Sequence, residues 1–183
     1  MREGLMRPAF FFDRDGVVNR CPGDSYVLRR EDFHFNDGIF AALAFLKSRG
    51  YALVLVTSQQ GVGKRLMTRE MLDDIHAFMQ RELAGHGADF DAIEACTCLA
   101  GDSRCTCRKP SPEMILRTAK NLDLDLAASW LVGDHDRDIQ MARNAGVPHT
   151  IRIRGTRPMK VAAEHVLAEV DELLPFLKTH LAD

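Results

Sequence analysis

The sequence predicts an α/β chain built on a doubly wound, mostly parallel sheet, with helices on both faces. Three observations predict it. The apolar runs AFFF (9–12), YALVLVT (51–57) and SWLVG (129–133) are short and continuous, as strands buried on both faces require. Amphipathic helical patterns alternate with them, the signature of strand–helix–strand crossovers. Acidic, hydroxyl-bearing and basic residues gather just after the runs, where ligands bind in such sheets. At 183 residues the expectation is one domain over 1–183, with a core large enough to need no staples.

The elements follow in order. AFFF reads as the first strand. DGIFAALAFLKSRG (37–50) reads as a helix with Asp37 at its N-cap and Gly50 as its stop. YALVLVT is the clearest strand. Thr68 opens an amphipathic helix that ends near Gly85 and Gly87, and DAIEAC (91–96) is a weaker strand. SPEMILRTAKNL (111–122) starts with Ser111 as N-cap and Pro112 at the first helical position. SWLVG is a strand, HDRDIQMARNAG (135–146) a short helix and HTIRI (149–153) a last strand. From about 159 the tail reads as one packing helix, with Val166, Val170, Leu173 and Leu177 on its apolar face.

Composition narrows the function classes. Hydrophobic residues make up 46% and charged residues 27%, which marks a folded chain rather than a disordered one. The formal charge of −2 supplies no field for nucleic acid or an anionic membrane. The stretch YALVLV is far too short to span a bilayer. MREGLMRPAFFFD holds no signal-length apolar run before Asp13. A cytoplasmic monomer with a small-molecule ligand, no nucleic acid and no membrane is expected. In a reducing compartment, clustered cysteines point to metal before disulfide.

Four clusters sit at or near predicted strand ends. Asp13-Arg14-Asp15-Gly16 follows the first strand. Two carboxylates on a tight turn could share a metal and a substrate, one acting as nucleophile and the other as proton donor; a capped turn with solvated acids is the alternative. Thr57-Ser58-Gln59 follows the second strand and suits phosphate oxygens. GVGK (61–64) lacks nucleotide P-loop spacing and reads as a turn whose Lys64 faces an anion. Lys109 of Arg108-Lys109-Pro110 could neutralise a phosphoryl group, or be a solvated loop cation. In GDHDRD (133–138), Asp134 and Asp138 could approach one site as oxygen ligands for Mg²⁺; a first-turn acid complementing the helix dipole is the alternative for Asp138.

Taken together, FFFDRDGVVN (10–19), LVLVTSQQGVG (53–63), CRKPSPEM (107–114) and WLVGDHDRDIQMARNAGV (130–147) resemble the haloacid dehalogenase (HAD) superfamily of phosphohydrolases. The resemblance covers roughly residues 9–158. Within it, the chain is similar to the small zinc-loop group without a separate cap domain, which contains heptose 1,7-bisphosphate and histidinol-phosphate phosphatases; DFHFNDG (32–38) and IRIRGTRP (151–158) resemble the former. The resemblance implies Mg²⁺-dependent hydrolysis of a phosphomonoester through an aspartyl-phosphate. It implies Asp13 as nucleophile and Asp15 as general acid, then base. It implies Mg²⁺ held by Asp13, the carbonyl of Asp15 and Asp134, with Asp138 a ligand or its supporter. Thr57 and Lys109 would hold the phosphoryl group. Arg108, Ser58, Gln59, Lys64 and Arg20 would bind the rest of the substrate.

Cys96, Cys98, Cys105 and Cys107 form two C-x-C pairs six residues apart, a spacing that can fold back and offer four thiolates to a structural Zn²⁺. Disulfide formation and redox signalling are the alternatives. The relatives carry histidine at the place of Cys98, so four thiolates make a more negative cluster here, which Arg104 is expected to screen. Cys21 is expected to be a free thiol. Two further departures, Ser58-Gln59-Gln60 after Thr57 and His135 after Asp134, bear on the substrate and spare every catalytic group. The basic residues Arg20, Lys64, Arg65, Arg104 and Arg108 favour a sugar bisphosphate, with removal of the 7-phosphate of the heptose. Asp24 and Asp102 would suit histidinol phosphate, and the short spacer between the cysteine pairs resembles that group's. A zinc-stabilised, inactive phosphate-binding module is the alternative outside catalysis.

Overall fold

The apolar runs form a six-stranded sheet in which every pairing is parallel. The computed structural model describes residues 6–155 and 157–181; the first five residues of the N-terminal stretch and Thr156 of IRIRGTRP lie outside the described residues. In chain order the elements are β1 (Arg7–Phe12), α1 (Ile39–Ser48), β2 (Ala52–Ser58), α2 (Gln60–Gly63), α3 (Arg69–Ala84), β3 (Ala92–Cys96), α4 (Glu113–Leu122), β4 (Leu124–Gly133), α5 (Asp136–Ala145), β5 (His149–Ile153), β6 (His165–Leu167) and α6 (Leu173–His180). The strand order is β3-β2-β1-β4-β5-β6, which places β1 and β4 at the centre, where the winding direction reverses. No helix among the described residues is long and apolar enough to cross a membrane.

The two-residue period of the strands divides the core into two layers. Phe10 and Phe12 face the layer built with α1, α3 and α6, whereas Ala9 and Phe11 face the layer built with α4 and α5. Leu53 and Leu55 join the first layer, and Ala52, Val54 and Val56 the second. This explains why the predicted strands lack polar alternation: both of their faces are covered. Segment 13–38, between β1 and α1, carries one 3₁₀ turn at Arg30–Asp32 and no helical cap.

The structure corrects four details. Helix α1 is capped by Gly38 in the left-handed region (φ 80°), not by Asp37; a Cβ there would meet the Cα of Asp171 at 2.7 Å. Asp37 is exposed and lies 3.7 Å from Arg20. The tail is not one helix. His165–Leu167 adds β6 to the sheet edge with Val166 exposed, and α6 starts only at Leu173. A three-residue strand is too short to show its own period, and of the four residues expected on the apolar face Val170, Leu173 and Leu177 are buried in the core. The segment at GVGK is the helical turn α2 rather than an open turn. At α3 the cap matches, Thr68 Oγ1 accepting from the Met71 N–H; α4 starts one residue later than expected, with Pro112 rather than Ser111 at its N-cap, although Ser111 Oγ still accepts from the Glu113 N–H at 3.3 Å.

Strand β4 is longer than the apolar run predicts, because residues after Asp125 bulge before pairing with β1 resumes at Phe10 and Trp130. The bulge would orphan the buried Ala9 N–H; Ser129 Oγ accepts from it at 2.9 Å. On the other side of the sheet His76 of α3 is buried, its Nε2 3.3 Å from Nη1 of Arg14. Arg can only donate, so Nε2 accepts and the ring is neutral. Burial, and then the charge of Arg14, push its pKa down to about 3.

Two outcomes follow from this packing. Ser129→Ala leaves a buried donor unsatisfied and is expected to cost about 1–3 kcal/mol, read as a lower urea midpoint at unchanged slope. His76 takes up a proton near pH 6.5 when unfolded but only near 3 when folded, so the stability it contributes is complete above 6.5 and is lost as pH falls towards 3. His76→Gln should therefore narrow its deficit against the parent by about 1.4 kcal/mol between pH 7.5 and 5.5; urea unfolding with an equal deficit at both values would count against this.

Candidate active site

The carboxyl ends of β1, β2, β3 and β4 meet on one edge, and the clusters read from the sequence converge there. Asp13 continues β1, its N–H donating to the Val132 carbonyl at 2.9 Å. The chain then turns through Gly16, where φ is 93° and an added Cβ would lie 2.4 Å from Oδ2 of Asp134. Only glycine fits this turn. Gly133, at the end of β4, has the same role for Asp138, whose Cβ would lie 2.4 Å from one added there. Two missing side chains thus make room for two carboxylates.

At the centre is Lys109. Its buried ammonium lies 2.8 Å from Oδ1 of Asp13 and 2.6 Å from Oδ1 of Asp138. Asp138 is fully buried, and its Oδ2 accepts from the His135 N–H at 3.0 Å. His135 caps α5 through Nδ1, which accepts from the Arg137 N–H at 3.2 Å; the ring is therefore neutral, in keeping with a pKa lowered by burial and by Arg137. Burial would also discharge Lys109, but Asp13 and Asp138 outweigh it and hold the pKa above the usual lysine value.

Asp15 is held differently. Its Oδ1 accepts from Arg14 Nη2 at 3.1 Å and Asn19 Nδ2 at 3.0 Å, and its Oδ2 from Gln59 Nε2 at 2.9 Å. Burial opposes its charge, yet Arg14 and these donors keep its pKa below the usual carboxylate value. Arg14 itself is wholly buried, divided between Asp15 and His76 and lying over the ring of Phe33. Gln59 Nε2 also donates to Thr57 Oγ1 at 2.8 Å, so Gln59 faces inward, while Ser58 and Gln60 line the open space.

Oxygens of Asp13, Asp134 and Asp138 come within 4.8 Å of one another. Burial raises the pKa of Asp13 to about 6 against the pull of Lys109; burial and the charges of Asp13 and Asp138 raise that of Asp134 to about 7. The four carboxylates against Lys109 and Arg14 leave two negative charges uncompensated. An all-oxygen donor set with that charge fits a small divalent cation such as Mg²⁺.

The cysteine loop leaves the same edge at Cys96, the last residue of β3. The Sγ separations are 3.5 Å for Cys96–Cys105, 3.9 Å for Cys98–Cys107 and 3.8 Å for Cys105–Cys107. A tetrahedral zinc with bonds of about 2.3 Å would set its sulfurs about 3.8 Å apart, so these four fit it. The loop packs on α2, where a Cβ at Gly63 would lie 2.5 Å from the Thr97 carbonyl. Arg108 ties loop to site: Nη1 donates to the Cys98 carbonyl and Nη2 to Gln60 Oε1, both at 3.3 Å. Arg104 does not turn to the sulfurs; it forks onto Asp102.

A cavity of about 260 Å³ opens over the carboxylates. Asp13, Asp15 and Asp134 lie at its floor, and segment 21–26, Arg108, Arg137 and Arg157 complete its lining. Lys64 lies outside this lining, 5.3 Å above the ring of Tyr26, which is part of it. Arg20 lines the neighbouring pocket. Of the two acids that would suit histidinol phosphate, Asp24 reaches the cavity and Asp102 does not. Sequence reasoning missed Arg14, which looks solvated between two acids, and also Arg137 and Arg157. Arg137 carried one available signal: a cation in the first turn of a helix opposes the dipole.

The comparisons accord with this geometry. Residues 106–169 match the HAD-hydrolase-like family model. The chain is 36% identical over 181 residues to the D-glycero-beta-D-manno-heptose-1,7-bisphosphate 7-phosphatase of Yersinia pestis, covering 93% of this chain and 95% of that protein. It is 37% identical to the enzyme of the same name from Escherichia coli strain K12, covering 86% and 85%. Among solved structures, D,D-heptose 1,7-bisphosphate phosphatase from B. bronchiseptica, complexed with magnesium and phosphate, superposes with a TM-score of 0.81 at 31% identity, over 94% of this chain and 98% of that one. The chain belongs to the HAD-like hydrolases, in the family of these heptose-bisphosphate phosphatases.

Proposed function

We propose that this chain is a single-domain phosphatase that removes the 7-phosphate of D-glycero-D-manno-heptose 1,7-bisphosphate, with Asp13 as nucleophile. The observation that carries the reading is the placement of Lys109 between Asp13 and Asp138, with Asp134 beside them, under a cavity that Arg108, Arg137 and Arg157 also line. A phosphate dianion repels a carboxylate nucleophile. Lys109, together with the divalent cation that the carboxylates would hold, would supply the positive charge that brings them together.

Asp13 Oδ1 already accepts from Lys109 and from the Arg14 N–H at 2.8 Å, which leaves Oδ2 to attack phosphorus. Asp15 gives a proton to the departing sugar oxygen. It then takes one from the water that hydrolyses the aspartyl-phosphate. Arg14, Asn19 and Gln59 keep Asp15 ionised in the free protein; the phosphoryl dianion arriving beside it raises its proton affinity and makes it an acid. Lys109 and Thr57 steady the phosphoryl oxygens, with Ser58 and Gln60 at the rim. Mg²⁺, held by Asp13, Asp134 and the carbonyl of Asp15, would supply charge neutralisation. Asp138 has both oxygens committed, so it acts by anchoring Lys109 and the start of α5. Zn²⁺ on the four cysteines would brace the loop that aims Arg108. The reduced thiols this requires suit a cytoplasmic enzyme, and one chain supplies the whole cavity, as a monomer needs.

Histidinol phosphate is the less favoured substrate, because an ammonium would face Arg108, Arg137 and Arg157 with only Asp24 as an added acid. Assays of phosphate release on both heptose anomers, fructose 1,6-bisphosphate and histidinol phosphate should rank a heptose bisphosphate first. Asp13→Asn should abolish release, by about 1,000-fold or more, with the fold retained by circular dichroism; faster turnover of histidinol phosphate would overturn the substrate. Metal analysis should find one zinc per chain. Its loss in Cys98→Ala should raise KM more than it lowers kcat, whereas an unchanged KM would remove the brace from the reading.

A further inference from the structure

We propose that His76 is a positioning residue for the reaction: by accepting from one edge of the Arg14 guanidinium it fixes the other edge, which holds the Asp15 carboxyl in the orientation that protonates the leaving oxygen. This rests on the phosphatase reading above. It adds a residue of α3, outside the strand ends that build the cavity.

Each nitrogen of the guanidinium has a task. Nε donates to Asp15 Oδ1 at 3.3 Å and Nη2 to Oδ2 at 3.2 Å, a two-point fork that sets the plane of the carboxylate as well as its distance. Nη1 donates to His76 Nε2 at 3.3 Å. The root of the side chain is held by the turn, where the Arg14 carbonyl accepts from the N–H groups of Val18 and Asn19 at 2.8 and 3.0 Å. Its Cζ lies 5.9 Å from the centre of the Phe33 ring. That contact sets no rotation of the fork within its own plane; the bond at Nη1 does.

His76 is a polar side chain on the buried face of α3, which it shares with Leu72, Ile75 and Met79. An apolar residue would pack there with no polar group to satisfy. Among the described residues Arg14 is its only hydrogen-bond partner. Asp15 lines the cavity. Asn19 and Gln59 each reach one of its oxygens, whereas Arg14 alone spans both. A proton donor is effective only when its O–H points at the departing atom, so a loosened fork costs aim before it costs the fold.

The test uses leaving groups. p-Nitrophenolate departs without a proton, whereas the alkoxide of heptose 1,7-bisphosphate needs one. At pH 7.5 His76→Leu should lower kcat/KM at least about 10-fold on the heptose bisphosphate and less than about 3-fold on p-nitrophenyl phosphate. His76→Gln, whose amide oxygen can accept from Arg14, should stay within about 3-fold of the parent on both. If His76→Leu does not fold by circular dichroism, His76→Phe carries the same comparison. Equal losses on both esters would overturn the positioning role; the phosphatase reading would still stand if Asp15→Asn lost more on the heptose bisphosphate. A second measurement needs no turnover. The Arg14 Nε–H should exchange with solvent at similar rates in the parent and His76→Gln, and about 5- to 10-fold faster in His76→Leu, the effect of one lost hydrogen bond. An exchange rate unmoved in His76→Leu would overturn the positioning role even if no ester were hydrolysed. A parent that hydrolyses neither ester but shows the expected exchange would overturn the phosphatase reading and leave His76 as the residue that fixes Arg14 on Asp15.

Discussion

The site depends on one buried ammonium. Lys109 holds Asp13 and Asp138 at 2.8 and 2.6 Å, and without it three carboxylates would face one another at a point that is largely buried. Burial alone pushes such groups towards neutrality. The lysine opposes that for the residue that must attack as an anion, although burial still lifts its pKa to about 6. It also ties together three parts of the chain that share no backbone pairing: the end of β1, the segment after the cysteine loop, and the first turn of α5. The strands bring their ends together, and the charge balance decides the positions of the side chains on them.

Around this centre the other polar contacts form two shells with different tasks. Arg14, Asn19 and Gln59 surround Asp15 with donors. His135 and Asp138 cap α5 reciprocally, so the helix start and the lysine share one acid. The cysteine loop stands outside both and reaches the cavity through Arg108. The cysteine cluster and the carboxylate cluster are thus two separate centres, and the Arg108 side chain reaches from the first to the rim of the second.

The sheet and its acids were legible in the sequence because both leave local signals. Continuous apolar runs such as YALVLV mark two-sided burial, and DRDG and GDHDRD place acids where a parallel sheet opens. Features that depend on distant partners were not legible. Arg14 is buried because His76, 62 positions away, accepts from it. Arg137 and Arg157 reach one cavity only through the winding of β4, α5 and β5. The cap of α1 is Gly38 rather than Asp37, and the close approach that keeps position 38 a glycine comes from Asp171, far along the chain. In the tail, β6 is shorter than any period that could reveal it.

Gly16 and Gly133 carry a consequence for how such a protein can diverge. The side chains of Asp134 and Asp138 occupy the space that a Cβ at either glycine would need. The floor of the cavity therefore admits no tuning by added bulk: a methyl group at position 16 or 133 displaces an acid before it reshapes a pocket. The walls are free of that constraint, since the side chains of segment 21–26, of residues 97–107 in the cysteine loop and of Arg157 are exposed or half-buried. New substrate preferences in this scaffold must arise from those three borders, while the chemistry beneath them stays locked.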